Sequence, residues 1–372
     1  MDTLLSSPFR IGNIQVPNRM VSLPLYLAYP SESHEVDDLV LDYYEEMAAS
    51  GVGLVIVENV TVEARGLGSP RTMLISEDRF IPGLARLART IKQHGIPAIL
   101  QIHHAGRHAN RPDRIAPSPI ETWGVLPQPM DQACIDRVVG AFAAGARRAL
   151  EAGFDGVELH GGTGYLLPQF LSPRTNFRED GYGGDGTRRM RFPLEVLGAV
   201  RAEVGEAFPV GYRFLADEYV PGGLTLTDTI PFAQRLAEAG ITYLSVMTGC
   251  YDAFPLPRYI QDDAEEAFMA PYAQAIKQAV PGVPIIAAGR IQSPATAEAI
   301  LRDGVADLVG LARVLFADPL WPRKAVGELK EPINPCTPGC MLCTKRVKEQ
   351  KPAYCGRWPK ERRERFLERV GG

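Results

Sequence analysis

A chain of 372 residues with 45% hydrophobic side chains can bury one large core, and no apolar run approaches the length of a membrane span. Its formal net charge of −4 gives no hint of nucleic acid or an anionic membrane surface as a partner. The opening stretch, MDTLLSSPFRIGNIQVPNR, lacks the basic segment and apolar run of a secretory leader, so the cytoplasm is the expected compartment.

Short β-rich apolar runs alternate with amphipathic stretches along most of the chain. RMVSLP (19–24) reads as a first strand, with a helix over 37–50 after it, and GLVIVE (53–58) leads to a helix at 81–94. PAILQI (97–102) is followed by a helix at 131–152, DGVELH (155–160) by one at 188–204, and PVGYRF (209–214) by one at 227–239. TYLSVM (242–247), VPIIAA (283–288) and ADLVGL (306–311) complete the set, with helices at 264–280, at 293–303 and from near Asp318. Parallel strands need crossover helices, and eight such units predict an α/β fold, a closed (β/α)8 TIM barrel over residues 1–330. An open doubly wound sheet is the fallback.

The connections are uneven. Long segments follow the third, fourth and sixth strands, at 103–130, 161–187 and 248–263. In a barrel they lie on the C-terminal face, where ligands bind. Pocket walls are expected there, around Tyr26, Trp123, Tyr251 and Phe254.

Residues 331–372 form a separate extension holding four of the six cysteines, Cys336, Cys340, Cys343 and Cys355. The spacing C-x3-C-x2-C-x11-C suits a soft metal site, a [4Fe–4S] cubane more than a zinc ribbon, whose ligands come as two tight pairs. Structural zinc stays open at this point. Clustered thiols with only Cys134 and Cys250 apart fit a reducing compartment better than a disulfide framework.

Two strand ends, AAGR (287–290) and GLAR (310–313), each bring Gly and then Arg to the mouth of the seventh and eighth units. Gly lets backbone approach a phosphate and Arg adds charge-assisted hydrogen bonds, a common barrel arrangement. The run from Gly181 to Gly186 satisfies G-x-G-x-x-G but follows no strand, so a dinucleotide fold is rejected there. His103, His104 and His108 could hold a metal, a reading set below a place beside the ligand pocket. The mixed-sign run Lys360–Arg365 reads as a solvated helix face.

FRIGNIQVPNRMVSLPL (9–25), QIHHAGRHA (101–109), HGGTGYLLPQFLSPRTNFREDGYGG (160–184) and the two Gly-Arg strand ends together resemble the old yellow enzyme-type NADH:flavin oxidoreductases. With the cysteine tail, the likeness is to the [4Fe–4S]-containing branch, as in the barrel parts of 2,4-dienoyl-CoA reductase and trimethylamine dehydrogenase. The resemblance implies noncovalent FMN, with Pro24, Leu25 and Tyr26 along the ring, Asn59 nearby, Gln101 at the pyrimidine edge and Arg213 near N1. Gly289, Arg290, Gly310, Ala312 and Arg313 would hold the phosphate. His160 and Thr163 would bind a substrate carbonyl, while Tyr165 would protonate the α-carbon of an alkene reduced by hydride from the flavin. The same resemblance implies a small-molecule substrate, NAD(P)H or a separate electron-transfer protein as electron source, and leaves monomer or homo-oligomer open.

Three departures accompany the match. Thr163 stands where His or Asn is usual, and the first cysteine gap is three residues, Thr337-Pro338-Gly339, where two is usual. Tyr26 replaces the cysteine that amine dehydrogenases link to FMN, and those enzymes carry tyrosine at position 160. Reduction of an activated alkene is therefore the leading expectation. Oxidative amine dehydrogenation is the second, and a flavin-bearing electron-transfer subunit without substrate chemistry the third.

Overall fold

Eight parallel strands close on themselves in the computed structural model, which describes residues 3–371. They are β1 (Met20–Ser22), β2 (Leu54–Thr61), β3 (Ala98–His103), β4 (Gly156–Gly161), β5 (Val210–Asp217), β6 (Tyr243–Thr248), β7 (Ile285–Ala287) and β8 (Leu308–Leu311). Each strand pairs with its sequence neighbours, and β8 closes onto β1 through Val309–Met20, Gly310–Val21 and Leu311–Ser22. The crossovers are α1 (Asp38–Ala49), α2 (Ile81–Lys92), α3 (Gln132–Glu151), α4 (Arg191–Val204), α5 (Leu226–Glu238), α6 (Ala270–Ala279) and α7 (Pro294–Arg302).

Alternation along the strands explains the two core layers. Val55, Val57, Leu100, Ile102, Val157, Leu159, Tyr212, Phe214, Leu244 and Val246 point outward and pack under the helices. Val21, Leu54, Ile56, Ile99, Tyr243, Ile286 and Leu308 point inward and fill the lower barrel. An antiparallel hairpin that the sequence reading missed, Phe9–Ile11 with Ile14–Val16, adds Ile11, Ile14 and Val16 to this inner cluster. It turns at Gly12, whose φ of +60° favours glycine and whose Cβ would lie 2.8 Å from Thr242, just before β6. The hairpin thus stoppers the N-terminal floor.

Most expected boundaries shift by one to three residues, for local reasons. β1 ends early because Leu23 makes the last ladder bond, to Leu311, and Pro24 has no N–H to continue it. β2 runs past its expected end through a register break between Val57 and Val60, which takes up Glu58 and Asn59. The helix expected over 264–280 begins only at Ala270, and an unforeseen helix occupies Pro257–Asp262. The helix expected near Asp318 is a short one, Trp321–Ala325.

Beyond residue 330 come α8 (Leu342–Lys348) and α9 (Lys360–Val370). The face of α9 expected to be solvated is partly docked. Arg362 donates to Glu46 at 2.7 Å and lies over Trp358 at 3.9 Å, Arg369 pairs with Asp42, and Phe366 packs against the barrel core. Trp358 and Ala353 are buried in that core. Among the described residues no helix is long and apolar enough to cross a membrane.

Candidate active site at the barrel mouth

Inward positions change from apolar to polar toward the C-terminal ends of β3 to β6. Gln101 lies opposite Glu158, His160 opposite Arg213, and Arg213 opposite Ser245. Gln101 Nε2 donates to Glu158 Oε1 at 2.7 Å, and Arg213 donates to Ser245 Oγ at 2.6 Å. Burial pushes the Glu158 carboxyl up, with Arg213 opposing. These groups form a hydrogen-bonding floor above the apolar plug.

His160 and Tyr165 stand over that floor. The N–H of Gly162 donates to His160 Nδ1 at 3.3 Å, which leaves Nε2 carrying the proton. Burial, and then the Arg213 charge, hold this imidazole down to about 3, so it is neutral near pH 7. Gly162 is needed for the close approach, since a Cβ there would meet Met247 Sδ at 2.4 Å. Thr163 sits at φ +60° with its hydroxyl against Met247 Sδ at 3.8 Å, turned toward that sulfur.

The Tyr165 ring lies 4.9 Å from His160 and 4.6 Å from His103, and its hydroxyl is 2.7 Å from that of Tyr251. Burial raises the Tyr165 phenol well above its usual value, so it stays protonated at neutral pH. Arg107 joins the loops behind this pair, donating to Thr122 Oγ1 at 3.2 Å and to Asp252 at 2.7 Å. Arg174 reaches the same Asp252 oxygen at 2.5 Å.

A second part of the mouth lies across β7 and β8. One cavity there is lined by Arg213, Asp263, Gly289, Arg290, Gly310, Ala312, Arg313 and Cys336, among others. Both arginines grip one carboxylate: Arg290 reaches Asp263 Oδ2 at 3.2 Å and Arg313 reaches Oδ1 at 2.8 Å. Gly289 has φ +97° and would press a Cβ into Met269, which accounts for glycine at that position.

Pro24, Leu25 and Tyr26 follow β1 half-buried, with the Tyr26 hydroxyl donating to Ser69 Oγ at 2.6 Å. Asn59 is buried in the register break of β2. His104, one of the three clustered histidines, is engaged with Glu63 at 3.0 Å.

The tail lies beside this mouth. The N–H of Ala353 donates to Leu27 O at 2.9 Å, Tyr29 donates back to Ala353 O at 3.0 Å, and Arg290 reaches Cys336 O at 3.5 Å. All four tail cysteines are free thiols. Burial pushes the Cys355 thiol up, the N–H of Arg357 opposes, and the thiols of Cys336, Cys343 and Cys340 add to the rise. Thr337 O accepts from the N–H of Cys340 at 3.2 Å, with Pro338 and Gly339 (φ +71°) between them, a Pro-Gly turn that absorbs the longer gap. Among the described residues no three His, Cys, Asp or Glu side chains converge as they would around a single ion.

Sequence reasoning had named Tyr251 as a wall residue but missed its pairing with Tyr165, and it missed Asp263 and Asp252 altogether. Both carboxylates lie on the irregular loop after β6, where no periodicity fixes side-chain direction.

A closed parallel barrel with its polar groups gathered at the C-terminal mouth defines a barrel enzyme. The NADH:flavin oxidoreductase / NADH oxidase family model matches residues 5–331, and the chain belongs to that family of flavin-dependent oxidoreductases. It is 40% identical over 360 residues to a metal reductase of Desulforamulus reducens, covering 95% of this chain and 53% of that protein. It is 38% identical to an NADPH dehydrogenase of Geobacillus sp. (strain WCH70), covering 90% of this chain and 97% of that protein. Among solved structures, a 2-naphthoyl-CoA reductase complex matches with a TM-score of 0.91 at 28% identity, over 96% of this chain and 57% of that one. The chain therefore spans about half the length of the metal reductase and of the 2-naphthoyl-CoA reductase.

Proposed function

We propose that this protein reduces a carbon–carbon double bond conjugated to a carbonyl, in an enone, enoate or enoyl thioester, using FMN and a [4Fe–4S] cluster. The observation that carries the reading is a neutral, Nε2-protonated His160 set 4.9 Å, ring to ring, from a buried, protonated Tyr165. Family membership supports FMN as the cofactor and NAD(P)H as a reductant.

The residues present fit FMN. Two guanidinium groups that converge on a carboxylate beside Gly289 and Gly310 suit a phosphate monoester, with Ala312 at the same rim. Gln101 and Arg213 would meet the polar edge of the ring, while Pro24, Leu25, Tyr26 and Asn59 would flank it. When bound, FMN supplies hydride to the β-carbon. His160 donates a hydrogen bond from Nε2 to the substrate carbonyl and draws charge toward it. Thr163, whose hydroxyl faces Met247 Sδ, would share that clamp in a weaker or differently shaped form than His or Asn would give. The Tyr165 phenol delivers a proton to the α-carbon, the Tyr251 hydroxyl at 2.7 Å stabilises the phenolate left behind by a hydrogen bond, and solvent returns the proton through that pair.

Four free thiols on one short extension, with a Pro-Gly turn spanning the long gap, support a cubane on Cys336, Cys340, Cys343 and Cys355. A cubane takes one thiolate per iron, so it does not need the close nest of a single ion. When bound, the cluster supplies one-electron exchange. On this reading residues 331–372 are an electron-transfer extension of the barrel at 1–330, and a separate electron-carrying protein docks beside it. A reducing cytoplasm suits such thiols.

Tyr165→Phe tests the chemistry. Mixing reduced protein with an enone should give flavin reoxidation slowed about 10²- to 10⁴-fold, while reduction by NAD(P)H stays within about twofold. Equal slowing of both half-reactions would remove Tyr165 as proton donor. Anaerobic absorption and EPR spectra with an iron assay should find about four irons per chain, and zinc in their place would remove the cluster.

A further inference from the structure

Trp123 occupies a strained position. It and Gly124 form a two-residue turn between Thr122 and Val125, with φ values of +52° and +74°. Positive φ at both central positions marks a type I′ turn, where Asn-Gly is preferred and a bulky residue is disfavoured. Strain of this kind persists where surrounding contacts over-determine it, and it concentrates at ligand sites. Here Arg114 donates to Thr122 O at 3.1 Å, and Arg107 ties Thr122 to Asp252, the residue after Tyr251. The clamp sets the Trp123 indole 5.6 Å from the Tyr251 ring and 4.9 Å from His108.

The rings form a continuous strip. From Trp123 it passes to Tyr251, then Phe254 at 5.7 Å and Tyr259 at 5.1 Å, and Tyr251 reaches the Tyr165 hydroxyl. Despite its anchorage, Trp123 is 62% exposed, so the indole presents a free face beside the reacting centre. His108, 1% exposed beneath it, has both ring nitrogens without a hydrogen-bond partner among the described residues, an uncommon state for a buried imidazole. The charges acting on His108 are Arg107 and Arg114 against Asp252, a balance that disfavours a cation there.

We infer that Trp123, His108 and Tyr251 form a subsite for a planar, uncharged or anionic aromatic group of the substrate. Its ring stacks on the indole, while the conjugated double bond extends to His160 and Tyr165. The inference rests on the alkene-reductase reading for its orientation, and it sets substrates with a flat ring apart from small aliphatic ones.

The experiment compares Trp123→Ala and Trp123→Phe with the unaltered holoenzyme, using benzalacetone and 2-cyclohexenone as substrates. Binding of 2-acetylnaphthalene, which need not turn over, is followed by the flavin absorption shift. Trp123→Ala should raise KM for benzalacetone and Kd for acetylnaphthalene about five- to tenfold. Its KM for cyclohexenone should rise less, so that the preference for benzalacetone over cyclohexenone in kcat/KM falls, and Trp123→Phe should recover most of the loss. Equal changes for both enones, no change for either, or tighter binding of phenyltrimethylammonium than of acetylnaphthalene would overturn the subsite. If no enone turns over with the unaltered protein, the alkene-reductase reading fails, and the acetylnaphthalene measurement still decides the subsite.

Discussion

Glu58 sits in the register break of β2, buried, with Oε2 lacking a hydrogen-bond partner among the described residues and Tyr44 OH accepting from its N–H at 2.6 Å. Burial pushes its carboxyl from 4.5 up to about 8, so it is largely protonated at neutral pH. A folded value above the unfolded one means full stability below the unfolded value and a loss as pH rises through the folded one. The melting temperature of the unaltered protein, compared with Glu58→Gln, should therefore fall between pH 4.5 and about 8. Parallel melting curves for the two proteins across that range would refute this. At this scale strand alternation sets which face Gln101, His160 and Arg213 share, and the sequence reading had only that to go on. It did not find the Tyr165–Tyr251 pair, whose members lie 86 residues apart with one on an irregular loop.

At the scale of elements, β7, β8 and the loop after β6 meet at Asp263. Arg290 is nearly enclosed, with 4% of its side chain exposed and a φ of +53°, so it depends on that carboxylate to hold its orientation. Asp263→Ala should release FMN about tenfold faster, read as rising flavin fluorescence after dilution, because hydrogen bonds to charged groups are the strong ones. Riboflavin, which lacks the phosphate, should bind equally well to both proteins; a matching loss for riboflavin would assign Asp263 to general stability. The barrel order was legible because eight apolar runs each precede an amphipathic stretch. The hairpin Phe9–Ile11/Ile14–Val16 was not, because three-residue strands carry too little alternation to register. The late start of α6 escaped for the opposite reason, as the apolar pattern runs on through turns at 263–269.

At the scale of the whole molecule, the tail is strapped across the barrel by Leu27–Ala353, Tyr29–Ala353 and the Trp358 indole, which donates to Phe316 O at 2.6 Å. Trp358→Ala should cost about 3–5 kcal/mol of stability if the site cannot collapse. The same change should lower the iron content per chain in anaerobic preparations; unchanged iron and melting would show that the strap is dispensable. The seat of the tail on the barrel was invisible in the sequence, since the anchoring residues lie hundreds of positions apart. The stopper of Ile11, Ile14 and Val16 beneath the barrel also constrains traffic. With the underside plugged, a ligand bound over Gln101 and Arg213 comes and goes by the upper rim.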